Sequence, residues 1–497
     1  MINLEKSGYH AIFFTDLAEL FHAKTLGAYR LATELRRHGY RVLVLDYFGL
    51  WLKNKNDLFT VLKNAVGPDT LFVGYSGTFL TSHTTVTRWP VPQSEIKDLG
   101  TYIKNLNSKV KIIYGGSQSH RVNNDLFDCN IDYVIQGLAD HAIIEFADSL
   151  SRNKTPKFSN SSNGIRIINH DAKGYSFNFK ILGNTHFTEE DFVTYGETLP
   201  LEISRGCMFK CTFCSFPLLG RKKNDSTYLI DPATITKELA YNYEKFNITN
   251  YIITDDTFNE SVEKLLTVKK AIDDSGVRIR FFSYLRADLM ARFPEQADIL
   301  LDMGIITASF GIETLNHQSG QAIGKGLHPD RVKQCLIDFK RKSQGQVITL
   351  GHFIVGLPHD TEKTLQEDFE WIESNKEFLD TYMIHSLELK PDGIWVSELA
   401  SNPEKYGYTI LNNGNSWVNK HMDSQTADTI AKFWMSRSNR LGRQNISSMQ
   451  LMGALNYWYS NEEIFKMRYD NLPAEDIEYR NKKLWENYKQ RVIDHVQ

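Results

Sequence analysis

Cysteine is scarce in this chain, five in 497 residues, which is too few for a disulfide framework. Charge of one sign is missing as well. Lysine and arginine total 57 and aspartate and glutamate 60, leaving a formal −3. Such a balance excludes coating nucleic acid through bulk charge and leaves open only a local basic groove. No window approaches the roughly 20 apolar residues of a membrane helix. The start, MINLEKSGYHAIFF, has no long apolar core and no small-residue cleavage site. No repeat of fixed period is evident. These absences predict a soluble, cytoplasmic protein with no membrane partner. What is present, 41% hydrophobic and 12% aromatic residues, excludes wholesale disorder. At roughly 150 residues per domain, the length predicts about three domains.

Residues 1–150 alternate short β-branched or aromatic runs with helical patterns. HAIFF, RVLVLD, TLFVGYS, VKIIYGG and IDYVIQG read as buried strands. LGAYRLATELRRHG and a stretch from about Ser94 to Asn107 read as helices between them. Strands separated by helices imply right-handed crossovers and an α/β, doubly wound (Rossmann-like) parallel sheet. Ligands of such sheets bind outside the carboxyl ends of the strands. Those ends carry Thr15 and Asp16, Ser76 and Gly77, Gly115 and Gly116, and Gly137, small residues that let a ligand approach the backbone, or that only make tight turns.

Residues 151–198 read as a linker, polar and turn-rich over SRNKTPKFSNSSNG; GIRIINH and YSFNFKI after it can pair as a small hairpin. A second series, 199–390, offers six strand candidates, beginning with PLEISRG, NYIITDD and RIRFFSYL and continuing with ITASFGIE, QVITLGHFIVG and YMIHSLELK. With helices between them they predict a partial (β/α)6 barrel whose chemistry lies at the strands' carboxyl ends. Residues 391–497 read as a mostly helical region packing as a cap on that barrel. Trp395, Trp417, Trp434 and Trp458 there are expected in the core or in a substrate pocket.

Three cysteines lie within eight residues, Cys207, Cys211 and Cys214 in CMFKCTFC, directly after a strand. Three thiolates on a loop suit a cubane of four irons with one iron left open. A structural zinc site closes its tetrahedron with four protein ligands. No histidine follows through Ser226 to act as the fourth. Cys129 and Cys335 stand alone and read as packing residues.

The cysteine loop CxxxCxΦC, with Phe213 at the aromatic position, resembles that of the radical S-adenosylmethionine (radical SAM) enzymes, and the resemblance extends over roughly 199–390. SRGC is similar to the family's entry to the loop. Asp255 and Asp256 in IITDDTF fall where relatives keep an element near the SAM amine. Ser283 and Arg286 in FFSYLRAD match a segment facing the SAM ribose or carboxylate. FGIETLN followed by IGKG places Glu313 toward the site. GHFIVGLPHDT resembles the segment whose backbone, here Ile354 to Gly356, flanks the adenine. The resemblance implies a [4Fe-4S] cluster on Cys207, Cys211 and Cys214, and SAM cleaved reductively to methionine and a 5′-deoxyadenosyl radical. It also implies a small-molecule or peptide substrate and a reductant such as flavodoxin or ferredoxin.

The N-terminal region resembles the cobalamin-binding domain of B12-dependent radical SAM enzymes, through VGYS, YGGSQSH and IDYVIQGLADHAIIEFAD. Ser76, Gly115, Gly116 and Gly137 are then cofactor contacts. Two departures are plain: Gln136-Gly-Leu-Ala-Asp140 stands where relatives repeat Gly-Glu, and Asp-x-His-x-x-Gly is missing, since His22 precedes Gly27 by five residues and position 20 is leucine. With cobalamin, the resemblance implies methyl transfer to an unactivated carbon. With an empty domain it implies peptide or metabolite modification, such as epimerisation with Cys335 as thiol donor. A non-enzymatic iron–sulfur or zinc protein is the reading from another class. Transfer-RNA methylthiolation is not expected, because a second cysteine trio and a recognisable RNA-binding barrel are both lacking.

Overall fold

The structure is a computed structural model. It describes residues 8–16, 23–77, 93–116, 119, 129–162, 164–170, 179, 183–216, 219–221, 227–391, 396–411, 416–440, 458–467 and 474–497. The chain divides into two compact units. One comprises Met1–Phe177, Asn184–Tyr195 and Glu475–Gln497, the other Asn178–Gly183 and Gly196–Ala474. Among the described residues no helix is long and apolar enough to cross a membrane.

The first unit is built on strands β1 (Ala11–Phe14), β2 (Val42–Leu45), β3 (Phe72–Ser76), β4 (Lys111–Gly115), β5 (Tyr133–Gly137), β6 (Asn160–Ser162) and β7 (Ile165–His170). AIFF and VLVL are buried along their whole length, as strands covered on both faces must be. The sheet runs β2-β1-β3-β4-β5-β7-β6, all pairs parallel except the β6–β7 hairpin. Its first five strands follow the doubly wound order in which the direction of winding reverses between β1 and β3. Thr15 and Asp16 leave β1 at that reversal, and Ser76 and Gly77 leave β3 beside them.

GIRIINH forms β7, which pairs with β5 and with Asn160–Ser162; YSFNFKI, its expected hairpin partner, lies outside the described residues except for Phe179. The free edge of β5 has backbone donors and acceptors to satisfy, and the nominal linker supplies the partner. One expectation needs correction: the C-terminal region does not act throughout as a cap on the second series, because the helix Ala474–Val496 belongs to the first unit. Trp485 meets Trp51 edge to face with ring centres 5.0 Å apart, and Tyr488 meets Tyr47 in the same way at 5.3 Å. Val492 and Val496 complete the same core cluster, and Lys489 pairs with Asp57 at 2.7 Å.

The second unit has strands β8 (Thr198–Glu202), β9 (Asn250–Thr254), β10 (Arg280–Leu285), β11 (Ile305–Glu313), β12 (Ile348–Val355) and β13 (Thr381–Ser386). They form one parallel six-stranded sheet in sequence order. β8 and β13 stand at its two edges, so the partial barrel is an open sheet. Local chemistry sets the crossover helices. Asp231 caps Pro232–Phe246 by accepting from the Ala233 N–H, and Pro232 sits at the first helical position. Ser261 caps Val262–Ser275, which Gly276 ends in a left-handed conformation. Thr361 and Thr364 form a reciprocal cap on Glu362–Ser374. Within the region expected to be helical, β14 (Thr409–Leu411) and β15 (Ser416–Val418) pair as a short hairpin.

Trp485→Ala is expected to destabilise the first unit by about 3–5 kcal/mol, the cost of truncating a buried aromatic. Urea unfolding followed by amide exchange checks this: protection should fall in β1–β3 and stay unchanged in β9–β12.

Candidate functional site

The loop of three cysteines leaves the carboxyl end of β8 at Ser204, and its direction is set by β9. Beyond β9, Asp255 is buried and accepts from Ser204 Oγ at 2.7 Å and from the Thr257 N–H at 2.9 Å. The Lys264 ammonium, 2% exposed, neutralises it at 2.8 Å and also donates to Ser204 Oγ. Asp256 is more open and accepts from the Gly206 N–H at 2.8 Å. Gly206 is left-handed, φ +91°, so the chain turns sharply into Cys207.

Cys207 is buried, while Cys211 and Cys214 are partly exposed. Thr257 Oγ1 lies 3.2 Å from Cys207 Sγ, and the Phe209 N–H donates to the same sulfur. Arg286, the first residue beyond β10, donates to Cys211 Sγ at 3.3 Å, forks onto Asp288 at 3.0 and 2.6 Å, and stands 4.1 Å over the Phe209 ring. Burial pushes the Cys207 thiol up, and the Cys214 thiol up to about 12. Such thiols stay protonated in water and give up their protons to a metal. Among the described residues no three ligands are already gathered around one point. The loop nevertheless offers three soft donors with hydrogen bonds to two of their sulfurs, the outer-shell contacts that tune an iron–sulfur centre.

The IGKG segment, Ile323–Gly326, together with the preceding Ala322, clamps this loop. The Thr212 N–H donates to Ile323 O at 3.2 Å and its hydroxyl to Ala322 O. Gly324 is left-handed, and a Cβ there would already lie 3.8 Å from the Cys211 Cα.

Residues 201–372 match the Radical SAM superfamily. The chain carries a radical SAM domain.

An uncharacterised methyltransferase of Pyrococcus horikoshii is 25% identical over 280 residues, 53% of this chain and 58% of that protein. The chain thus spans little more than half the length of that curated relative. The solved structure of the radical SAM methyltransferase TsrM from Kitasatospora setae, with cobalamin and a [4Fe-4S] cluster bound, has a TM-score of 0.59 at 16% identity, covering 82% of this chain and 80% of that one. The cobalamin-dependent radical SAM enzyme OxsB, with aqua-cobalamin bound, has a TM-score of 0.64 at 14% identity, covering 99% and 72%. At these identities the likeness is one of fold.

Within the radical SAM domain the residues singled out from sequence fall in different surroundings. Phe213 lies inside the cysteine loop and is half-buried. Glu313 ends β11 with φ +66° and pairs with Lys325 at 3.0 Å. Ile354 is half-buried, while Gly356 has both backbone groups occupied: its N–H donates to Asp360 and its carbonyl accepts from Tyr408. A Cβ on Gly356 would meet the Trp417 ring at 2.6 Å. Trp417 and Trp434 are core residues, Trp458 rests against Tyr459, and Trp395 and His22 lie outside the described residues. Cys129 is wholly buried, and burial pushes the Cys335 thiol up to about 12.

Ser283 is completely buried and shares a strand face with Phe281. Its neighbour Tyr284 takes the other face and keeps 42% of its surface open. Sequence reasoning passed over that face. Phe310 packs on Phe339 of the helix Pro329–Lys342, so Ser309, alternating with it, points away from the helices. Ser309 Oγ is 2.8 Å from His352 Nε2, and the Tyr284 and His352 ring centres are 5.8 Å apart. Burial, then His385 and Lys325, push the His352 pKa down to about 3.

An unfolded histidine binds its proton near pH 6.5. Between pH 6.5 and 3 the unfolded chain holds a proton at this position that the folded chain refuses, so stability falls as pH drops through that window. His352→Asn is expected to flatten the fall by about 1 kcal/mol per pH unit, read as the difference in urea unfolding between wild type and variant at pH 5 and pH 7.5.

Proposed function

We propose that this chain is a radical SAM enzyme that reductively cleaves SAM at a [4Fe-4S] cluster and transfers a methyl group, by way of cobalamin, to an unactivated carbon. The observation that carries the reading is the three-thiol loop at the exit of β8, with Arg286 and Thr257 bonded to two of its sulfurs. Bound to their sites, the cluster would supply the electron that breaks the sulfonium bond and cobalamin the methyl group. Cys207, Cys211 and Cys214 hold the cluster. The Arg286 guanidinium sets positive charge against the Cys211 sulfur. The Lys264–Asp255 pair fixes the start of the loop, and Ile323–Gly324 closes over its middle. Asp256 and Glu313 supply carboxylates at the ends of β9 and β11, where an ammonium group of SAM is recognised.

For cobalamin the support comes from the first sheet. Its order reverses between β1 and β3, the place where doubly wound sheets take cofactors. Along the carboxyl edge stand Ser76, Gly115, Gly116 and Gly137; the two last have φ +114° and +92°. This edge is free of bulky side chains at those positions and admits a macrocycle close to the backbone. TsrM and OxsB, whose solved structures hold cobalamin, share the fold. The substrate is a small molecule or peptide, and the electron comes from a reductant of the flavodoxin or ferredoxin kind.

Anaerobic reconstitution is expected to yield a brown protein with about four irons per chain that forms 5′-deoxyadenosine from SAM and dithionite. Cys211→Ala should lose both properties and keep its circular dichroism; unchanged iron content would count decisively against the cluster assignment.

Anaerobically purified wild type should also retain a corrinoid, visible in its absorption spectrum. Gly115→Leu, which adds bulk at a position where a Cβ makes only ordinary contact, should retain about tenfold less while keeping its iron. A corrinoid-free wild type would favour modification of a peptide or metabolite without cobalt.

A further inference from the structure

The side of the second sheet facing away from its helices carries chemistry that the cluster and SAM do not use. Tyr251 lies close to Glu238 and Asn242 of the helix Pro232–Phe246, so Thr254, of opposite parity to it on β9, points away from that layer. Tyr284, Thr307, Ser309 and His352 lie on the same side by strand register. The Thr254 and Thr307 hydroxyls are buried without a hydrogen-bond partner, Thr307 being 1% exposed. A buried hydroxyl left unbonded costs about 1–3 kcal/mol, and a bound ligand relieves that cost.

The Tyr284 side chain keeps 42% of its surface open on this side. The His352 imidazole is neutral, and its Nε2 is engaged with Ser309. His385 is half-buried on β13, and burial pushes its pKa down. Lys325 is engaged: it pairs with Glu313 and also donates to Gly311 O. A carboxylate or phosphate would find no uncommitted cation among these groups. A planar ring finds an aromatic face, and its polar atoms find hydroxyls and an imidazole nitrogen.

We infer that this face binds the acceptor substrate, and that the acceptor is an uncharged aromatic or heteroaromatic ring bearing a hydrogen-bonding group, with Tyr284 and His352 as its specificity-determining residues. The inference rests on the function proposed above and names its substrate class.

The test reads binding rather than turnover. The reconstituted full chain is titrated with indole, benzimidazole, cyclohexanol and benzoate by saturation-transfer NMR, and SAM cleavage is assayed on the same preparation. Indole and benzimidazole are expected to bind, and cyclohexanol and benzoate are not. Tyr284→Leu should weaken indole at least about tenfold, the scale of a lost aromatic contact together with its burial. Tyr284→Phe should retain indole, and His352→Phe should weaken benzimidazole more than indole. Equal binding of indole and cyclohexanol, no binding of either ring, or indole binding unchanged in Tyr284→Leu overturns the inference. A preparation that cleaves SAM but binds no ring sinks this inference alone, whereas one that binds the rings but cannot cleave SAM sinks the proposed function.

Discussion

The ammonium of Lys264 has to be neutralised where it lies, almost fully buried behind the exits of β8 and β9, and Asp255, which with Glu260 neutralises it, also aims the cysteine loop. Charge taken out of water persists only when it is paired and its remaining hydrogen bonds are met. Asp255 meets the charge, Ser204 shares the hydrogen bonding from β8, and the Thr257 carbonyl accepts the rest. Thr257 in turn reaches Cys207 Sγ. One ion pair thus joins two strand ends to the first sulfur, and the direction in which the loop leaves the sheet follows from electrostatics as much as from chain connectivity.

The two sheets solve a similar problem differently. In the second, charged and polar side chains crowd the strand exits. In the first, the described residues at the β3–β5 exits are small, and bulk is supplied from within: a Cβ on Gly77 would overlap the Tyr114 ring at 2.3 Å. That glycine therefore serves packing at the β3 exit, whereas Gly115, whose nearest neighbour would be the Ile135 carbonyl at 3.4 Å, leaves open room. The same residue type at neighbouring strand ends has two physical causes.

The strand positions and the cysteine loop were legible in the sequence because near-continuous apolar runs ending in glycine, and thiols at fixed spacing, are local signals. What escaped depends on distant partners. Ser283 and Tyr284 sit side by side in a run, RFFSYL, that is apolar on both parities, so alternation could not say which of them looks away from the helices. Lys264 reads as an ordinary surface lysine on an amphipathic helix until Asp255 is seen across from it. Gly356 suggests an open backbone, yet Tyr408 and Trp417 reach it from over 50 residues along the chain. The helix Ala474–Val496 carries an apolar stripe fit for any core, and nothing local to it names Trp51 as its neighbour.

The attachment of that helix to the first sheet has a consequence for how the molecule is made. A nascent chain exposes β1 to β5 first, but the Trp51 face of that sheet lacks Trp485 and Tyr488 until some three hundred further residues have been translated. The six-stranded unit, complete in its contiguous stretch from Gly196 onward apart from a short upstream segment, can close beforehand. Order along the chain and order of completion therefore differ: the sheet translated earlier is completed by the helix translated later.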